Sequence, residues 1–133
     1  MQVGVGLYVR NSAAAVAFYQ EVFGLELGYH VKNADGSYFH SELHRNGEAF
    51  LSVVESSSSV SGSIVQLGIE FPSAQEVRTA FARLSLNGTV LMDVGSLPWS
   101  PCAADVVDQF GVRWYLTAPQ HRPPEGFQPE PPG

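Results

Sequence analysis

Hydrophobic and polar positions along this chain change period, from two to the helical value of about 3.6 and back, and do so twice. Residues 2–10 (QVGVGLYVR) are apolar and β-prone and predict a strand. Ala15, Phe18, Tyr19, Val22 and Phe23 then fall on one face of a helix. Asn11 or Ser12 can cap that helix, since either side-chain oxygen can accept an orphan N–H of the first turn. Gly24 supplies the stop. Strands are predicted over 25–31, 37–44 and 49–54, joined by tight turns at Asp35-Gly36 and Asn46-Gly47. Period two over 37–44 sets Tyr38, His40 and Glu42 on one face and Phe39, Ser41 and Leu43 on the other. His30 and His44 flank turns and are expected to be exposed.

The order then begins again. Residues 64–71 predict a strand, and Ser73 with Glu76 has the spacing of a capping box. Val77, Ala80, Phe81 and Leu84 make the apolar face of a second helix, ended at Asn87-Gly88. Strands are predicted over 89–93, 103–108 and 112–118, with an irregular stretch from Gly95 to Asp105 around Pro98, Trp99 and Pro101. The expected organisation is therefore a first βαβββ module at 1–55, a Ser-rich linker at 56–63, a second module at 64–118 and a Pro-rich, extended or disordered tail at 119–133. One such module is too small to bury a core alone, whereas two pooled, within or between chains, can. The fold class expected is α+β, with a curved, mainly antiparallel mixed sheet.

Composition narrows the function classes. A hydrophobic fraction of 44% and a charged fraction of 15% are those of a folded globular protein. No apolar run approaches the roughly 20 residues that span a bilayer, and MQVGVGLYVR lacks the pattern of a secretory signal. With one cysteine, Cys102, an internal disulfide is excluded and a reducing cytoplasm is the expected location. The net charge is −6 and the seven basic residues form no stripe, which argues against nucleic acid as a partner. An acidic surface attracts cations, or simply keeps the chain soluble. There is no GxGxxG, GxxxxGK[ST] or GxSxG pattern, so nucleotide-dependent and serine-hydrolase chemistries lack support.

Tyr8-Val9-Arg10-Asn11, Ala17-Phe18-Tyr19 and Val22-Phe23-Gly24 together resemble the opening module of the vicinal oxygen chelate superfamily, which includes glyoxalase I, extradiol dioxygenases, fosfomycin-resistance enzymes and bleomycin-resistance proteins. Phe39-His40-Ser41-Glu42-Leu43, Trp99 and Asp108-Gln109-Phe110-Gly111-Val112-Arg113-Trp114 resemble a bacterial subgroup described as glyoxalase-like or demethylubiquinone-methyltransferase-like. The resemblance covers about residues 3–118. It implies paired βαβββ modules around a cup-shaped cavity, in a homodimer. It also implies four positions at which the enzymes hold a divalent metal through His, Gln and Glu. Carried over to this sequence, those positions read Gly4, Leu51, Gln66 and Tyr115. Gly and Leu offer no side-chain donor, Gln is a weak neutral one, and Tyr must first lose a proton. No metal or other cofactor is therefore expected.

The remaining chemistry is open to two readings. His40 and Glu42 can be an acid–base pair or two metal ligands, or else part of a polar, half-wet sheet face that hydrogen-bonds a ligand; the second is preferred. Cys102 has no legible cation or helix terminus to activate it and is expected to be a buried or inert thiol. Phe18, Phe23, Phe81 and Trp114 are expected in the core. Tyr115 alternates with Trp114 and so faces the other way, and Tyr8 shares the parity of Gly4 and Gly6. Tyr8, Tyr38, Trp99 and Tyr115 are then either ordinary packing aromatics or the lining of a cavity that stacks a planar ligand. The resemblance and the vacant positions together point to a non-catalytic protein of the bleomycin-resistance type. It would sequester a bulky, partly aromatic natural product such as a peptide antibiotic, through Tyr8, Tyr38, His40, Glu42, Gln66, Trp99 and Tyr115. A metal-dependent glyoxalase- or dioxygenase-like enzyme with non-standard ligands is the alternative. A partner-binding module using the tail is the third reading.

Overall fold

A computed structural model describes residues 1–58, 62 and 64–129. Part of the Ser-rich linker and the last four residues of the tail lie outside these. The element order is β1 (Gly6–Val9), α1 (Ser12–Phe23), β2 (Glu26–Lys32), β3 (Tyr38–Arg45), β4 (Glu48–Glu55), β5 (Leu67–Glu70), α2 (Ala74–Leu84), β6 (Thr89–Leu97), β7 (Ser100–Val107) and β8 (Arg113–Thr117). This is βαβββ twice over, as the hydrophobic periods predict. The strands form two four-stranded mixed sheets, ordered β1-β4-β3-β2 and β5-β8-β7-β6. In each, the first strand of the module runs parallel to the last, and the other pairs are antiparallel. The chain divides into two compact units, Met1–Gly62 with Phe110–Val112, and Ser63–Gln109 with Arg113–Gly133.

In the first unit, α1 lies on one face of its sheet. Leu7, Val9, Leu43, Leu51 and Val53 bury against Ala15, Val16, Tyr19 and Phe23. Phe110 completes this packing, with its ring 5.7 Å from Phe18 and 5.8 Å from Tyr19. Asn11 caps the helix by accepting the Ala14 N–H, and Gly24 takes the left-handed conformation that ends it. A second cap comes from β4. The Glu55 carboxylate accepts the backbone N–H groups of Asn11 and Ser12, and the Ser12 hydroxyl at 2.7 Å. In the second unit, α2 starts at Ser73, whose hydroxyl accepts the Glu76 N–H. Val77, Ala80 and Leu84 bury against Cys102, Ala104, Val106, Trp114 and Leu116. The Trp114 indole N–H donates to the buried Asp108 carboxylate at 2.8 Å.

Several expectations are corrected. The stretch from Gly95 to Asp105 is not irregular: β6 runs on to Leu97, and a turn at Pro98-Trp99 leads directly into β7. Proline is admitted there because one sits in the turn and the other, Pro101, near the start of its strand. Phe18 and Phe81 are half-buried rather than fully internal. Tyr38 does not share the face of His40 and Glu42. The β2–β3 register slips between Val31 and Lys32, so that Lys32 pairs with Tyr38 while Val31 pairs with His40. The extra residue, Phe39, is left 65% exposed, and Tyr38 turns to the α1 side, where it is buried.

Candidate functional site

Register fixes which side chains share the face of the first sheet turned from α1. Gly6 pairs with Ser52 and Tyr8 with Val54; Ser52 pairs with Glu42; His44 pairs with Glu26; His40 pairs with Val31. Cross-strand partners point the same way, so Tyr8, His40, Glu42, His44 and Ser52 lie on one face. Tyr8 is 63% exposed there. The middle of the face is a short polar ladder along β3. His44 Nε2 lies 3.0 Å from Glu42 Oε1, and His40 Nε2 lies 3.5 Å from Oε2. His44 is half-buried on the strand, where exposure was expected. The two imidazoles, His44 first, hold the Glu42 carboxyl below its usual range. Tyr29 extends the ladder, its ring 6.0 Å from that of His40. Tyr38, on the other face, meets His30 edge-on at 5.8 Å, lies under the Lys32 ammonium, and gives its backbone N–H to Ser12 Oγ.

In the second unit, β7 and β8 bring four groups together on the face turned from α2. Asp105 pairs with Tyr115, and Val107 with Arg113. Arg113 grips Asp105 through two parallel N–H donors, Nε to Oδ1 at 3.0 Å and Nη2 to Oδ2. Arg113 and then Gln66 hold the Asp105 carboxyl below its usual range. The Trp99 indole N–H donates to the Tyr115 hydroxyl at 2.8 Å. The turn that carries Trp99 is held in turn by the tail, through His121 N–H to the Trp99 carbonyl at 2.7 Å. Of the residues expected in the site, His40 with Glu42 and Trp99 with Tyr115 are in direct contact, Tyr8 shares the face of the first pair, and Tyr38 does not. His44, Tyr29, Asp105 and Arg113 were missed. Strand parity alone could have found His44, since it follows Glu42 by two.

The four positions at which the resemblance implies a metal do not fit one. Leu51 is buried against α1, on the opposite face from Gly6 and Tyr8; the residue beside it on their face is Ser52, a neutral hydroxyl. Gln66 is a partner of Asp105, and the Tyr115 hydroxyl is engaged by Trp99. Elsewhere, the imidazoles of His40 and His44 address opposite oxygens of Glu42, and among the described residues no three His, Cys, Asp or Glu side chains are arranged to hold a metal ion. Cys102 is buried. No described helix is long and apolar enough to cross a membrane.

Residues 2–116 match the model of the Glyoxalase/Bleomycin resistance protein/Dioxygenase superfamily. None of the curated proteins matches the chain. Among solved structures, the chain is similar to a protein of Pseudomonas aeruginosa at 19% identity, with a TM-score of 0.77 over 90% of this chain and 98% of that one. It is similar to the PhnB protein of Bacillus cereus at 22% identity, with a TM-score of 0.76 over 89% and 99%. The fosfomycin resistance protein FosX of Listeria monocytogenes superposes with a TM-score of 0.68 at 16% identity, over 90% and 93%. At these identities the structures testify to the fold, and the family match covers nearly all of it: the chain belongs to the Glyoxalase/Bleomycin resistance protein/Dioxygenase superfamily.

Proposed function

We propose that this chain is a non-catalytic binding protein that sequesters a bulky, partly aromatic natural product, such as a peptide antibiotic with a planar chromophore. The observation that carries the reading is the state of the family's metal positions. One is a glycine, one is a leucine packed into the core, and the other two are neutral side chains already engaged by neighbours. A family member without those donors keeps the capacity to bind and loses the Lewis acid. The Trp99–Tyr115 pair, in which the Tyr115 oxygen satisfies the indole N–H, supplies flat surface for stacking. Resistance or storage is the role proposed, with the homodimer of the family as its working form.

Titration with bleomycin and other chromophore-bearing peptide antibiotics, read by tryptophan emission and calorimetry, tests this. Saturable binding by protein that carries no stoichiometric metal is expected. Absence of binding across the class overturns it. One observation favours a second reading, a metal-dependent enzyme with non-standard ligands: His40, Glu42 and His44 line one strand face. Metal analysis of protein purified without chelators decides between the two, since the enzyme requires about one tightly held ion per site.

A further inference from the structure

We propose that the face of the first sheet turned from α1 recognises an organic cation, with Glu42 as its counter-ion and Tyr8 and Tyr29 as its flanking rings. This names a ligand class for the binding protein proposed above and rests on that reading.

The argument begins with proton bookkeeping. A carboxylate can only accept, so each imidazole facing it across a hydrogen bond presents its Nε2 as N–H. In its neutral form a ring has one such donor, and in that form Nδ1 of His40 and Nδ1 of His44 keep their lone pairs, while the carboxylate oxygens keep those the imidazoles do not use. The ladder His44–Glu42–His40 is in this state a row of acceptors around a fixed negative charge. Its complement is a cation with several N–H donors, an ammonium, amidinium or guanidinium group.

The charge distribution in the first unit agrees. Glu26, paired across from His44, adds a second carboxylate to the face. The basic residues of the strands go the other way: Lys32 lies 5.5 Å over the Tyr38 ring on the α1 side, and Arg45 donates to the Phe23 carbonyl. Among the described strand residues, no lysine or arginine takes the Glu42 face to neutralise it. Glu42 is about a third exposed, so an approaching charge reaches it without unfolding anything. Tyr8 and Tyr29 are 63% and 66% exposed. Their rings attract a cation through their π faces and stack on an aromatic one. A planar aromatic amidinium satisfies every group named.

The local build also shows that the ladder has a prepared place. His44 lies over Gly28, where a Cβ would come within 2.5 Å of Nε2. Only glycine on the neighbouring strand leaves room for the imidazole in this position.

The test is a titration, by fluorescence and calorimetry at neutral pH, with 9-aminoacridine, which is protonated under these conditions, and with acridine, its neutral ring analogue. The cation is expected to bind about tenfold tighter, the value of one charge-assisted hydrogen bond. Glu42→Gln is expected to bring the two affinities together, and added salt to narrow the gap. Glu76→Gln on α2 removes the same unit of charge elsewhere and is expected to keep the preference, which separates recognition from general attraction. Equal affinities in the unmodified protein, or a preference that survives Glu42→Gln, overturns the cation face and leaves the binding-protein reading standing. If neither compound nor any antibiotic of the class above binds, both fall together.

Discussion

At the scale of single residues, Gly28 governs the His44 ring without touching any ligand. The atom a new methyl would meet there is the end of a side chain that can swing away, so Gly28→Ala costs little stability. It does evict the imidazole from Glu42. The expected outcome is a thermal melt shifted by only a few degrees, with the preference for a cation reduced, though less than in Glu42→Gln because the carboxylate remains. A preference unchanged by this substitution would mean that the position of His44 does not matter. Tyr115→Phe is the companion case in the other unit. It leaves the Trp99 N–H without its acceptor, and because Trp99 is half-buried, water repairs part of the loss. A destabilisation of about 1 kcal/mol is expected in urea melts. Asp105 adds a pH dependence whose sign is fixed. Its folded-state pKa lies below the ordinary 3.8, chiefly because Arg113 grips the ionised form. The stability it contributes is present above the ordinary value and is lost as pH falls through the folded one. Unmodified protein should therefore exceed Asp105→Asn in stability near neutrality, and the gap should close as denaturation is repeated below about pH 4.

At the scale of elements, the cap from Glu55 and the approach at Gly88 mark where strand and helix are pinned together. Glu55 accepts three donors at the start of α1, so Glu55→Ala is expected to cost about 1–2 kcal/mol, as removal of a good N-cap does. Gly88 is the opposite of Gly28. A Cβ there would run into the backbone carbonyl of Val107, which cannot swing aside. Gly88→Ala is expected to lose about 1–3 kcal/mol, in the range of overpacking. If it melts like the unmodified protein, the turn before β6 is looser than the contact implies. Both features are long-range and were not legible in the sequence; Glu55 lies more than forty residues from the helix it caps. What was legible is whatever repeats at fixed spacing: both helices, all eight strands, with β6 and β7 cut short where they meet, the Asn46-Gly47 turn, and the pairing of His40 with Glu42. Period-two reasoning failed where a bulge breaks the period. Tyr38 changes face because Phe39 is extruded, and Leu51, counted from the turn glycine, falls on the buried side. The β6–β7 hairpin was missed because Pro98 and Pro101 read as breakers, whereas a turn and a strand start tolerate them.

At the scale of the whole molecule, the tail bears most on the second unit. Its composition predicts a chain with no reason to fold, and its described residues, 119–129, form no helix or strand. They are nevertheless tied down. Gln120 N–H reaches the Glu70 carboxylate at 3.2 Å, His121 N–H reaches the Trp99 carbonyl, and the Phe127 ring sits edge-on to Trp99 at 6.5 Å. Prolines lower the entropy that such anchoring costs, so a few contacts suffice. The Phe127 contact shields one side of the indole on which a ligand would stack. Phe127→Ala should then move the Trp99 emission to the red and cost about 0.5–1.5 kcal/mol, the value of an aromatic pair. Trp114 is buried and bonded to Asp108, so it contributes a constant signal, and the difference against a Trp99→Phe background isolates Trp99. The same substitution should raise affinity for an aromatic ligand that uses Trp99, because Phe127 no longer competes for the ring. An unchanged spectrum would show that the tail does not cover Trp99. A shifted spectrum with unchanged affinity would show that the ligand does not stack on the ring that Phe127 covers, and would leave the Glu42 face as the one to test by Glu42→Gln.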